Sequence, residues 1–120
     1  MPQLLQLARV VLGIGLFIAD LTESMVRKSL IAFLKKDSEL ARMVLVSDDE
    51  VDDLKDAVYQ DLLELMEMNP SKIRGAIDLM FVAHSLERIA DHATNIAEDV
   101  LFLVKGIDVR HHSEALGSAG

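Results

Sequence analysis

The chain has 120 residues, enough for one domain with its own core and too short for two comfortable ones, and 51% of them are hydrophobic. Its 12 basic residues stand against 20 acidic ones for a net charge of −8. That balance argues against nucleic acid as the main partner, because phosphate binding needs a positive stripe, and favours metal cations or basic protein surfaces. The absence of cysteine excludes a disulfide frame, thiolate zinc sites and a cysteine nucleophile, and is compatible with an intracellular location.

The first element is a long helix over about residues 3–36, with no internal proline from Leu4 to Phe33. Its first half is apolar nearly all round, so it needs cover on more than one side. The uncharged run from Val10 to Ala19 is about half the roughly 20 residues needed to cross a bilayer, and it reads as buried helix. Met1-Pro2-Gln3 offers no positive side chain ahead of that run, which speaks against a signal peptide. Gly13 and Gly15 weaken the helix by about 1 kcal/mol each relative to alanine, and their size would let another helix approach closely. From Asp20 the helix becomes amphipathic, ending in Lys35-Lys36, which suits the negative end of its dipole.

Asp37 is placed to cap a second helix over residues 38–68, with Glu39 in its first turn. The apolar stripe is Leu40, Val44, Val51, Leu54, Val58, Leu62 and Leu65. Asp48, Asp49, Glu50, Asp52 and Asp53 crowd its middle, yet the apolar spacing stays in phase across them, so the helix is expected to continue. Two carboxylate pairs spaced i, i+4 result. Asp49 and Asp53 project to solvent, whereas Asp48 and Asp52 lie at the border of the apolar stripe, where they can face a neighbouring helix.

Asn69-Pro70-Ser71 reads as a cap followed by proline at the first helical position, opening a third helix over residues 70–105. Gly106 supplies its stop, residues 107–112 form a short extension, and residues 113–120 read as a disordered tail. On a wheel, Leu79, Val82, Leu86, Ile89, Ala93, Ile96, Val100 and Val104 share one face, taken as the core face. His84, Glu87, Asp91, Asn95 and Glu98 fall on the far side, with Glu87 and Asp91 stacked at i, i+4, close enough to share a cation. Arg88 is the only cation in mid-helix, and apolar residues lie at both ends of the acidic stripe, as on a contact surface around a polar site. The bland alternative is that all these acids form a hydrated face.

Three long helices joined by tight turns make an all-α, up-down-up antiparallel bundle occupying residues 2–112, and so apolar a first helix asks for a partner. No nucleophile with an adjacent base stands out, and Gly13-Ile14-Gly15 lies in an apolar helix rather than after a strand. A carboxylate-bridged oxidase would need Glu-x-x-His, and no Glu has a His three residues after it. His84 at a helix edge, His92 away from the acidic stripe and the pair His111-His112 are ordinary surface histidines on this reading.

The stretch Leu86-Glu87-Arg88-Ile89-Ala90-Asp91-His92-Ala93-Thr94-Asn95-Ile96, the ending Lys105-Gly106-Ile107-Asp108-Val109-Arg110-His111 and the earlier Asp48-Asp49-Glu50-Val51-Asp52 together resemble the PhoU family of phosphate-transport regulators. The resemblance implies a three-helix, spectrin-type repeat whose Glu/Asp-x-x-x-Asp motifs bind metal ions at the surface. Matched by position, those motifs are Asp48 with Asp52 and Glu87 with Asp91, supported by Asn95. In some members the bound metals are multinuclear iron or zinc clusters; by ligand softness, carboxylate oxygens suit magnesium, manganese or iron, with zinc possible if His84 helps. The implied role is that of a cytoplasmic, non-enzymatic negative regulator, peripheral to membrane complexes, linking a phosphate-specific ABC transporter ATPase to a sensor histidine kinase. Three departures accompany it. Typical members carry two repeats, whereas this chain has one, similar to the second. Ala90 stands where glycine is usual, and the first helix is more apolar than expected, which favours a homodimer. The alternative from a different class is a structural helical dimerisation domain that holds no metal.

Overall fold

The computed structural model describes the backbone of residues 2–119 and the side chains of residues 5–106. Three helices, α1 (Pro2–Lys35), α2 (Ser38–Met68) and α3 (Ile73–Ala119), run up, down and up, with one 3-10 turn at Pro70–Lys72; no strand occurs among the described residues. The Cα atoms form a rod of 78 × 16 × 16 Å.

Both reversals use the capping residues expected from the sequence. At the first, Lys36 takes a left-handed conformation with φ of 55°, and the Asp37 amide donates to the Ala32 carbonyl at 2.9 Å. This six-to-one bond ends α1 in a Schellman turn. The Asp37 side chain then accepts from the Leu40 amide at 3.0 Å and opens α2. At the second, the Asn69 side chain accepts from the Ser71 amide at 3.1 Å, while the Asn69 amide donates to Leu65 at 3.0 Å. One residue thereby closes α2 and caps the next turn.

The core repeats every seven residues in all three helices. Val11, Ile18, Met25 and Ala32 of α1 meet Val44, Val51, Val58 and Leu65 of α2 and Ala76, Ala83, Ala90 and Ala97 of α3. A seven-residue repeat sustained on 3.6-residue helices requires a gentle left-handed supercoil. The alanine seam on α3 lets that helix sit close to both neighbours. Two buried hydroxyls bond within their own helix, Ser29 to the Val26 carbonyl at 2.8 Å and Thr94 to the Asp91 carbonyl at 2.7 Å.

The α2 stripe is as expected, and the acidic interval remains helical. Four expectations are corrected. On α3 Ala93 and Val100 are buried and Leu79, Leu86, Ile96 and Val104 half-buried as expected, but Val82 and Ile89 are exposed, and Ala83 and Ala90 beside them are buried in their place. Closeness of approach selects alanine there over the larger apolar residues beside it. The run from Val10 to Ala19 is buried only at Val11 and Ile18, while Val10, Leu12, Leu16 and Phe17 are exposed, because two neighbouring helices cover one side of α1 and not the rest. The α1 stretch Leu5–Lys35 is long and apolar enough, by length and composition, to cross a membrane. A Cβ added at Gly13 or Gly15 would meet nothing within 4 Å, so among the described residues no helix uses them for close approach. Finally, no glycine adopts positive φ at Gly106 or elsewhere among the described residues, and α3 continues through it to Ala119, aided by the helix-forming Glu114-Ala115-Leu116. The residues expected to be a disordered tail are therefore helical as far as Ala119, and Gly120 lies outside the described residues.

Candidate metal centre

The alanine seam on α3 sets where its acids point. Glu87, one turn beyond Ala83 and just before Ala90, is drawn to the border of the core, and its side chain is only 17% exposed. It faces α2. There Lys55 donates a hydrogen bond to Glu87 Oε2, and Tyr59 Oη lies 3.5 Å from the Met80 carbonyl. This antiparallel register brings Asp52 to the level of Glu87 and Asp48 to the level of Asp91.

The four carboxylates Asp48, Asp52, Glu87 and Asp91 consequently feel one another. Burial pushes the Asp48 carboxyl above its ordinary value, and the negative charges of Asp52, Asp91, Asp49 and Glu87 push it the same way. Its Oδ1 is buried and finds no hydrogen-bond partner among the described residues. Asp52 is likewise raised, first by burial and then by charge and hydrogen bonding from Glu87, with Lys55 opposing. The Lys55 ammonium is held above its usual range, mainly by its bond to Glu87 and against the effect of burial. Lys55 also lies 5.9 Å from the centre of the Tyr59 ring.

His84 Nδ1 is 3.9 Å from Glu87 Oε1, at the exposed rim. Asn95 is exposed one turn beyond Asp91 and has no described hydrogen bond to the four acids. Lys55 is the residue that sequence reasoning did not single out. Its spacing could have found it, since Asp48, Asp52 and Lys55 follow i, i+4, i+7 along one side of α2.

The donor set suits a hard cation in kind: carboxylate oxygens, partly desolvated, mutually repelling, one of them without a partner. It is not yet gathered, for no three Asp, Glu or His side chains among the described residues converge on a single ion position. Lys55 already neutralises Glu87, and a metal would use Asp48, Asp52, Glu87 and Asp91 with that lysine moved aside.

Residues 17–100 match the sequence profile of the PhoU domain, covering α2 and most of the site-bearing part of α3. The chain belongs to the PhoU domain family. Its relatives include a phosphate-specific transport system accessory protein PhoU homolog of Xylella fastidiosa, 42% identical over 74% of this chain and 38% of the relative. A PhoU homolog of Pseudomonas putida is 39% identical over 78% of this chain and 37% of its own length. One from Methanothermobacter thermautotrophicus is 34% identical over 72% of this chain and 39% of its own. The chain thus spans about two-fifths of these PhoU relatives, and the matched region contains all four carboxylates.

Proposed function

We propose that this chain is a metal-binding regulatory module of phosphate uptake and phosphate signalling. It acts without catalysis, in the cytoplasm, as a negative regulator at a phosphate-specific ABC transporter ATPase and its sensor histidine kinase. The phosphate link is supported by the names of the relatives, which are accessory proteins of phosphate-specific transport. The observation that carries the metal reading is the buried, unpartnered Asp48 Oδ1, which feels Asp52 on its own helix and Glu87 and Asp91 across the α2–α3 boundary. A bound divalent or iron-type ion supplies positive charge that the four acids lack. Asp48 and Asp52 would hold it from α2, Glu87 and Asp91 from α3, and both helices would then share one ligand.

The test is metal content by elemental mass spectrometry, after purification without chelator, followed by titration with Mg, Mn, Fe and Zn salts. Wild type is expected to bind an ion with carboxylate-type selectivity, and Glu87→Gln with Asp91→Asn is expected to lose it while keeping its helical circular dichroism. Equal metal content in both proteins would remove these residues from the site.

A second reading, a dimerisation domain, is favoured by an apolar groove of about 280 Å³ between α1 and α3. Leu12, Leu16, Leu79, Val82 and Leu86 line it, and Gly15 leaves open space at its edge. A second copy docking there would cover side chains that three helices leave bare. Wild type is then expected to sediment as a dimer, and Leu16→Glu, at a position 67% exposed, to sediment as a folded monomer. A wild-type monomer at all accessible concentrations would remove self-association from the proposal.

A further inference from the structure

We propose that Lys55 is a resident counter-cation of the carboxylate site, which a metal ion must displace, so that this one side chain sets the affinity and signals occupancy. This inference rests on the metal-site reading above and concerns how that site is regulated.

Lys55 and Glu87 are both largely shielded from water, with side chains 20% and 17% exposed, and the ammonium donates directly to Glu87 Oε2. A shielded pair is screened far less by water and salt than a surface one. While the ammonium remains, Glu87 can offer an incoming dication little free charge, and the ammonium repels the dication. No salt bridge reaches Asp48, Asp52 or Asp91 among the described residues, though Lys55 also attracts Asp52, so a single positive charge stands against four carboxylates and leaves room for a second cation.

Lys55 also has somewhere to go. Its four-carbon stem is flexible, the ammonium already lies beside the Tyr59 ring at 5.9 Å and so has only Glu87 to release, and Asp56 adds negative charge nearby. Displacement would swing the ammonium outward along α2, exchanging a shielded contact for a hydrated one. Metal loading would thus alter the surface beside Tyr59 while leaving the helices in place.

The experiment has two arms. Mn²⁺ affinity is measured by isothermal titration for wild type, Lys55→Met, Lys55→Gln and Lys55→Arg, each first checked for wild-type helical content. The neutral variants are expected to bind at least ten-fold tighter than wild type, and Lys55→Arg no tighter. In the second arm, wild type is treated with an amine-acetylating reagent with and without Mg²⁺, and acetylation of Lys55 is followed by mass spectrometry. Mg²⁺ is expected to increase labelling at Lys55 several-fold while exposed lysines such as Lys36 and Lys72 change little.

Wild type that binds Mn²⁺ while both neutral variants bind equally or more weakly would overturn the competition and leave the metal site standing. Labelling unchanged or reduced by Mg²⁺ would overturn the displacement in the native protein, without depending on any variant. Absence of Mn²⁺ binding in wild type and folded Lys55→Met alike would overturn the metal-site reading itself, and this inference with it.

Discussion

Replacing Ala90 with leucine is expected to destabilise the protein by about 1–3 kcal/mol, the usual cost of forcing extra methylenes into a close-packed core. Ala90 is 0% exposed and occupies the seam where α3 approaches both other helices. Leucine cannot fit without separating them. The neighbouring Ile89→Ala removes a larger apolar group, yet Ile89 is 44% exposed, so this change is expected to cost well under 1 kcal/mol. Urea denaturation of the two variants beside wild type would read the contrast directly. A larger loss from Ile89→Ala than from Ala90→Leu would mean that α3 presents the other face to the core. Under the proposed metal reading, the leucine variant should also bind the ion more weakly, because Ala90 lies between Glu87 and Asp91 and the change alters the spacing between α2 and α3 without removing a ligand.

Asp48→Asn should have the opposite effect on stability. It removes a charge that burial and the neighbouring acids disfavour while keeping the side chain's shape, and because the site is partly open the gain is expected to be about 1 kcal/mol at pH 7 in the absence of metal. The sign with pH follows from the direction of the Asp48 shift. A carboxyl raised in the folded state keeps its proton after the unfolded chain has released it, so its contribution favours folding least once pH exceeds the raised value. Acidification from neutrality through that value towards the ordinary 3.8 lets folded Asp48 protonate first, and the advantage of Asp48→Asn should shrink. Thermal unfolding of both proteins in chelator at several pH values provides the check. An advantage that grew on acidification would show that Asp48 is stabilised as an anion in the fold.

Much of the fold was legible because local signals agreed. Asp37 and Asn69 each carry a cap chemistry that works within a few residues, and the α2 stripe keeps its phase through the acidic interval. On α3 the spacing places Ala93 and Val100 correctly in the core but errs at Val82 and Ile89, where periodicity traced through bulky residues gives the wrong side. Packing between close helices instead selected Ala76, Ala83, Ala90 and Ala97, which carry little hydrophobic signal individually. Gly106 looked like a stop by residue type alone, but a stop needs the left-handed conformation it does not adopt.

The site divides in the same way. Pairs such as Asp48 with Asp52 and Glu87 with Asp91 follow from helical spacing within one element. Their meeting across two helices depends on antiparallel register, which no single helix encodes, and it was the family resemblance that joined them. Lys55 was missed for that reason: on α2 alone it is one basic residue beside acids, and only the register shows Glu87 opposite it. The same limit applied to α1: its apolar circumference and the three-helix bundle were legible, but which side the other two helices leave bare was not.

The rod's narrow girth has a kinetic consequence. With Cα atoms confined to 16 Å across, the α2–α3 border is never far from bulk water: Asp91 is exposed there, although Glu87 is shielded and Asp48 Oδ1 is buried. An ion there would come and go without any local unfolding, on the time needed for a lysine side chain to turn and a hydration shell to be shed. Occupancy would therefore follow ambient cation levels promptly, giving a gauge of supply rather than a permanent fixture.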